Sequence, residues 1–593
     1  MTLLDRKIAL AGLAVGALFT ADAGLLAQDT LPEDDERIGQ TIIVTATRLR
    51  QSGSQDIKQF RSLSLDGEFL PKPESLTIEG LLGEYDLALP SKSECDQLFC
   101  IAGYAATANL PTRPQDEYFV GLGFESNADA VALQNEPLSL IAVIDRSGSM
   151  SGEKIARAKE GLLQAISMMR DGDRLGIVEF GTETNLLLPV TDIGGNREMI
   201  AETIAAIEAE GSTFMEAGLR LGFETAFAEL EQSGRKTRMM LLTDEKPNVG
   251  NTDPDGFMGQ AVSGSRRGVG MTTIGVGRDF DNALAMQLSS VRGGNLFYLA
   301  TDADAPALFK REFFNMVTEI AHDVTITMTP SAGYKLNAVY GVPNEVLTQT
   351  PAGAITVTIG SAFLSSNGGG IFASLEGMDG ASAPSADQPL MSVAVSYTDA
   401  RSGAAGSNSD TVMQPVGDAP QNLKLAQALV DEYLSLSGAL ERYHAKGDAT
   451  GAYQMISGLS ERLGGADFAG IDKEREMVAG LLGRAGALAG QGDVPAELRH
   501  LGVIGSWEVT RQRGLNDVLR GDTVKLTSDG ELITERKSGP EAGREVYQTF
   551  QINEDQMYID YTDLVFYYRL KGEKLQLRGK NGKTKLFLQR IGS

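Results

Sequence analysis

The chain has 593 residues, with 53 Lys and Arg against 79 Asp and Glu and a formal net charge of −26. That length exceeds a single hydrophobic core and predicts roughly three to five domains, while the acidic excess opposes nonspecific binding to nucleic acid and to anionic lipid surfaces. A hydrophobic fraction of 42% with one Trp is ordinary for globular material and argues against a large membrane domain.

Arg6 and Lys7 precede an apolar stretch from Ile8 to Phe19 and then Ala21-Asp22-Ala23, the charged, apolar and small-residue parts of a secretory signal. Residues 1–27 are therefore read as a signal peptide, and about a dozen apolar residues fall short of the roughly 20 that span a bilayer. The expected location is the periplasm or cell surface of a bacterium, with membrane association only indirect. Residues 28–59 read as a flexible acidic arm that includes Glu33-Asp34-Asp35-Glu36. Within it, Gln40-Thr-Ile-Ile-Val-Thr-Ala-Thr-Arg48, followed by Gln51-Ser52 and Gln55-Asp56, resembles the TonB box of TonB-dependent outer-membrane receptors. That resemblance implies strand addition to TonB or another outer-membrane component; an ordinary edge strand is the alternative.

Residues 60–134 read as a small α+β lead-in. Leu76–Tyr85 has the apolar spacing of a short amphipathic helix and Tyr118–Phe124 that of a strand. Cys95 and Cys100 are the only cysteines, and in an exported chain such a close pair points to a small-loop disulfide rather than a metal cage.

Over residues 135–321 strands alternate with amphipathic helices, the pattern of a doubly wound α/β sheet covered on both faces. The strands are expected at Leu138–Ile144, Leu175–Phe180, Leu186–Val190, Thr237–Thr243, Met271–Val276 and Leu296–Leu299. Helices are expected at Glu153–Met169, Arg197–Glu208, Met215–Leu230, Gly256–Arg267, Asp281–Val291 and Ala305–Thr318. Directly after the first strand comes Asp145-Arg-Ser147-Gly-Ser149-Met, which sets one carboxylate and two hydroxyls at alternating positions of a tight turn, hard oxygen ligands for a small dication.

This region resembles the von Willebrand factor A domain, and Asp145-x-Ser147-x-Ser149 resembles its metal-ion-dependent adhesion site (MIDAS). In that family a Thr ahead of a helix and an Asp after the fourth strand complete the shell; Thr213 in Gly211-Ser212-Thr213 and Asp244 after Leu241-Leu242-Thr243 stand in those places. The resemblance implies hydroxyl ligation by Ser147, Ser149 and Thr213, with Asp145 and Asp244 binding directly or through water. Two carboxylates and three hydroxyls favour Mg²⁺, with Mn²⁺ or Ca²⁺ as alternatives. The rim departs from the family: Phe214 follows Thr213, and Glu245 and Lys246 follow Asp244 where Gly is usual. Glu245 would repel an acidic ligand and Lys246 would pair with it.

Residues 322–416 return to a period of two, at Val324–Met328, Tyr334–Tyr340, Ala354–Ile359 and Met391–Tyr397, which predicts a β-sandwich. The small polar tract Ser402–Ser409 reads as an exposed loop. Residues 417–495 are helical by spacing, at Leu423–Tyr443, Ala449–Leu463 and Asp472–Leu488. Residues 496–593 open on Gly505-Ser-Trp507 and continue as short strands with turns at Asp529-Gly530, Asn553-Glu554, Lys571-Gly572 and Asn581-Gly582, a small antiparallel barrel. The Gly-x-Trp opening resembles the lipocalin-like domains of bacterial secreted proteins.

His322, His444 and His500 fall in different segments, and no nucleophile–base pair is visible, so no catalytic residue is assigned and an enzyme is not expected. The leading expectation is an exported adhesion or scaffold protein that captures an acidic side chain of a partner through a bound dication. The alternative is a carrier of a small hydrophobic ligand that uses the C-terminal barrel, with the A domain as docking module.

Overall fold

The computed structural model describes residues 57, 60–61, 63–65 and, between 69 and 591, all but 245–253, 278–290, 300–303, 343–345, 364–368, 379–387, 493–495, 516, 528–529, 554 and 560–563. The expected signal peptide, the TonB-box-like stretch, the rim residues Glu245 and Lys246 and most of the expected helix Asp281–Val291 lie outside the described residues. Among the described residues no helix is long and apolar enough to cross a membrane.

A short helix α1 (Ile78–Gly83), capped by Thr77 whose hydroxyl accepts from the Gly80 amide, leads to strands β1 (Cys100–Thr107) and β2 (Tyr118–Glu125). Cys95 and Cys100 are disulfide-bonded at the start of β1. The α/β domain follows: β3 (Leu138–Asp145), α2 (Glu153–Met168), β4 (Arg174–Phe180), β5 (Thr184–Asp192), α3 (Arg197–Ala205), α4 (Met215–Ser233), β6 (Lys236–Thr243), α5 (Pro254–Arg266), β7 (Gly270–Val276), β8 (Asn295–Leu299) and α6 (Asp304–Val317). Its six-stranded sheet runs β5-β4-β3-β6-β7-β8, parallel except for the antiparallel edge strand β5.

Every residue of β3 is buried, and alternation within the strand sorts its side chains between two cores. Leu140, Ala142 and Ile144 face α2, α3 and α6 through Leu162, Ile200 and Phe309. Ile141 and Val143 face α4 and α5 through Leu219, Phe223 and Phe257. This is the expected doubly wound sheet.

Seven more strands follow: β9 (Glu319–Pro330), β10 (Tyr334–Tyr340), β11 (Leu347–Gln349), β12 (Ile355–Phe363), β13 (Gly370–Gly377), β14 (Pro389–Asp399) and β15 (Ala405–Met413). They build a sandwich, but not by themselves. One sheet has the order β1-β2-β13-β10 and the other β11-β12-β9-β14-β15. β2 pairs antiparallel with β13 from Gly123 opposite Gly370 to Tyr118 opposite Leu375. The lead-in is therefore not a separate α+β domain: its strands complete the sandwich, and the α/β domain is inserted between β2 and β9. A pairing between strands more than two hundred residues apart leaves no local trace in the sequence.

The tract Ser402–Ser409 is likewise not a loop throughout, since β15 takes up its second half and pairs with β14 from Ala405 opposite Thr398. Its polar side chains are used across the sandwich: Asn408 Oδ1 accepts from the Ile101 amide at 3.0 Å and Asp410 Oδ2 from the Gly103 amide at 2.7 Å. The hydrophobic alternation that marks other strands is absent because these side chains bond the neighbouring sheet's edge.

Helices α7 (Gln421–Lys446), α8 (Ala449–Gly464) and α9 (Asp472–Ala489) pack with α1 and with the outward ring pair Phe119 and Phe372, stacked at 5.8 Å between centroids. Arg61 ties the preceding segment to this bundle, donating to Glu84 at 2.9 Å and to Glu474 on α9 at 2.8 Å. Glu432 on α7 is fully enclosed there. Burial first, and the facing Glu474 carboxylate second, push its pKa well above the ordinary glutamate value, against an opposing pull from Arg61. The last eight strands, from Gly505–Arg513 to Lys585–Arg590, close into an antiparallel barrel. Trp507, fully buried, donates its indole N–H to the Val503 carbonyl at 2.7 Å and packs among Val509, Leu526, Met557 and Leu588.

Two outcomes are expected. Because Trp507 is the sole Trp, its fluorescence reports the barrel; Leu588→Ala, which empties a buried site, should destabilise that transition by about 2–5 kcal/mol, and an unchanged denaturant midpoint would show a relaxed interior. Glu432 has a raised folded pKa, so its contribution to stability is lost as pH rises from the ordinary glutamate value through the folded one. Glu432→Gln should therefore raise the thermal midpoint at pH 8 relative to wild type and narrow the difference at pH 4.

Candidate metal centre

Asp145 ends β3 and Asp244 directly follows β6, the neighbouring parallel strand, so the two carboxylates emerge side by side at the same edge of the sheet. Both have 0% exposure. Asp145 Oδ1 accepts from the Ser147 amide at 2.9 Å and Oδ2 from the Thr243 hydroxyl at 2.6 Å, which locks the carboxylate in place. A single 3₁₀ turn, Gly148–Met150, then reverses the chain ahead of α2. It brings Ser147 Oγ to 3.0 Å from Ser149 Oγ, and Ser149 Oγ donates to Asp244 Oδ1 at 3.1 Å. Ser147 is buried and Ser149 exposed, so the cluster opens to solvent on one side.

The third segment is pinned to the first by backbone bonds. Gly148 N donates to Gly211 O at 2.8 Å, Glu210 N to Arg146 O at 2.6 Å, and Arg146 N to Phe180 O at 2.8 Å. Gly211 makes this approach with φ +84°, a conformation that L side chains rarely adopt. Thr213 follows, buried, and Phe214, half-buried, donates its amide to the Gly181 carbonyl at 3.1 Å. The structure thus brings Asp145, Ser147, Ser149 and Asp244 into one hydrogen-bonded cluster and ties the turn carrying Thr213 to it.

Two participants were not assigned from the sequence. Thr243 orients Asp145, and its place beside Asp244 in a buried strand was the available signal. Lys154, in the first turn of α2, donates to Asp244 Oδ2 at 2.8 Å. A Lys where the helix dipole disfavours a cation was the sign that it answers a nearby carboxylate.

The electrostatics fit a dication. Burial, and secondarily the charge of Asp244, push the Asp145 pKa up to about 6 despite the bonds from Thr243 and Ser147. Among the described residues two buried carboxylates face one ammonium, a deficit of positive charge among oxygen-only donors. Among the described residues no group of three His, Cys, Asp or Glu is placed to hold a metal; here the remaining donors are hydroxyls. The residues that would hold the ion are Asp145, Ser147, Ser149, Thr213 and Asp244.

The opposite end of the sheet carries the junction to the sandwich. Arg238, near the start of β6, donates to the Gly293 carbonyl at 2.8 Å and lies 5.0 Å from the Phe363 ring on β12. Ser361 accepts from the Gly293 amide at 2.7 Å and donates to Glu319. Six residues of strand, about 20 Å, separate Arg238 from Asp244.

Residues 139–311 match the family model for the von Willebrand factor type A domain. Over 295 residues the chain is 26% identical to the uncharacterized protein YfbK of Escherichia coli strain K12, covering 49% of this chain and 50% of that one. It is 28% identical over 206 residues to inter-alpha-trypsin inhibitor heavy chain H4 of Homo sapiens, covering 33% of this chain and 21% of that one. The match thus spans half or less of these curated relatives. A solved von Willebrand factor type A protein from Catenulispora acidiphila is 15% identical, covering 68% of this chain and 91% of that one at a TM-score of 0.41. The segment inserted between the two halves of the sandwich is a von Willebrand factor type A domain.

Proposed function

We propose that this protein is an exported binding or scaffold protein whose A domain captures an acidic side chain of a partner protein through a dication, Mg²⁺ first, held by Asp145, Ser147, Ser149, Thr213 and Asp244. The observation that carries the reading is the convergence of two fully buried carboxylates with hydroxyl oxygens at the solvent-facing end of the sheet, opposite the junction with the sandwich. Hydroxyl and carboxylate oxygens on one side of the ion leave its outward face for a ligand, and a partner carboxylate is the hard, charged donor that suits it. The signal-like first 27 residues support export, as does the Cys95–Cys100 disulfide, which persists in an oxidising compartment. The sandwich, helices and barrel serve as the mount; Trp507 and its apolar neighbours fill the barrel as a packed module.

The test is capture from envelope extract by the full chain, with Mg²⁺ or with chelator, for wild type and Asp145→Ala. Capture that disappears with chelator and in the variant supports the reading; equal capture in all arms ends it. In the same samples Mg²⁺ at 100 times its dissociation constant should add about 2.7 kcal/mol of stability to wild type and none to Asp145→Ala. A pH series adds a second check. Cation binding needs the Asp145 carboxylate, whose folded pKa is about 6, so affinity should fall by about tenfold for each pH unit below 6. The metal-free protein behaves oppositely: with the folded pKa above the ordinary aspartate value, its stability from this group declines as pH rises through about 6.

A further inference from the structure

The two oxygens of Asp244 face different partners. Oδ1 accepts from Ser149 within the hydroxyl cluster, whereas Oδ2 is held at 2.8 Å by Lys154 Nζ. The lysine is built into this place. Its side chain is 17% exposed and reaches from the first turn of α2 past Gly277, directly after β7. A Cβ on Gly277 would lie 2.6 Å from Lys154 Cε and 3.1 Å from Cδ, so the slot exists because that residue, at φ +92°, has no side chain. A cation in the first turn of a helix adds to the positive end of the dipole and is unfavourable there by itself; the buried Asp244 carboxylate compensates.

We infer that Lys154 is the resident counter-charge of the metal centre: it stabilises the site without metal and holds down the affinity for the dication, so that loading is reversible. The charge count carries the argument. Among the described residues of the site, Asp145 and Asp244 contribute two negative charges and Lys154 one positive, a sum of −1 without metal and +1 with a dication. The first state does not leave two buried carboxylates uncompensated, and the second calls for an anionic ligand to restore neutrality. Lys154 is a positioning residue acting through Asp244 and is not itself a ligand. This inference rests on the metal-centre reading above.

The test uses the full chain, Mn²⁺ as probe and calorimetric titration, with thermal midpoints in chelator alongside. Lys154→Met should bind Mn²⁺ at least tenfold more tightly than wild type while melting earlier in chelator. Lys154→Arg, which keeps the charge, should restore wild-type affinity within about threefold, and Lys154→Gln should follow Met should the Met variant fold poorly. Unchanged or weaker Mn²⁺ binding by both neutral variants overturns the inference, as does an Arg variant that behaves like Met. Asp145→Ala separates the two readings: its binding Mn²⁺ like wild type would remove the metal centre itself, whereas its failure to bind with unchanged Lys154 variants would remove only the counter-charge role.

Discussion

Keeping two carboxylates fully buried at the end of an apolar sheet is the constraint around which the A domain is arranged. An ionised carboxylate removed from water is costly unless hydrogen bonds and opposite charge replace its hydration. Asp145 receives an amide and a hydroxyl, and Asp244 a hydroxyl and an ammonium. The four donors come from three pieces of chain, so the turn after β3, the end of β6 and the first turn of α2 are held in mutual register by the charges they surround. Compensation is incomplete, as the elevated pKa of Asp145 shows. That shortfall is what the proposed dication would offset.

The mount determines where that site points. Insertion between β2 and β9 returns both ends of the A domain to the sandwich, and Arg238, Ser361 and Glu319 make the junction at the amino-terminal ends of the strands. Because parallel strands place their loops at opposite ends of the sheet, a junction at one end keeps the sandwich away from the other. The sandwich in turn is braced by the helical bundle, which covers Phe119 and Phe372 on its outer face, and by Arg61 bridging to Glu474. Contacts thus run from the segment before β1 to α9, and the division into consecutive modules along the chain gives way to one in which early and late segments share cores.

Much of the A domain was legible because its information is local. Buried parallel strands are apolar runs, amphipathic helices show their period, and Asp145-x-Ser147-x-Ser149, Thr213 and Asp244 each lie at a recognisable strand end or helix start. The Cys pair was legible for the same reason, being five residues apart. The barrel's turns marked it as antiparallel, and its closure appears in the pairing of its first strand with its last, Trp507 opposite Arg590.

The sequence by itself determined the doubly wound sheet, the helical bundle, the small barrel and the oxygen-rich donor set, since each follows from periodicity or from residue types within a few positions. Only the tertiary structure decided that β1 and β2 belong to the sandwich, that the polar tract ending in Ser409 contributes to β15, and that Lys154 closes on Asp244. These depend on partners between 90 and 307 residues away, where pairing is settled by backbone hydrogen bonds and buried charge rather than by any pattern a single segment carries.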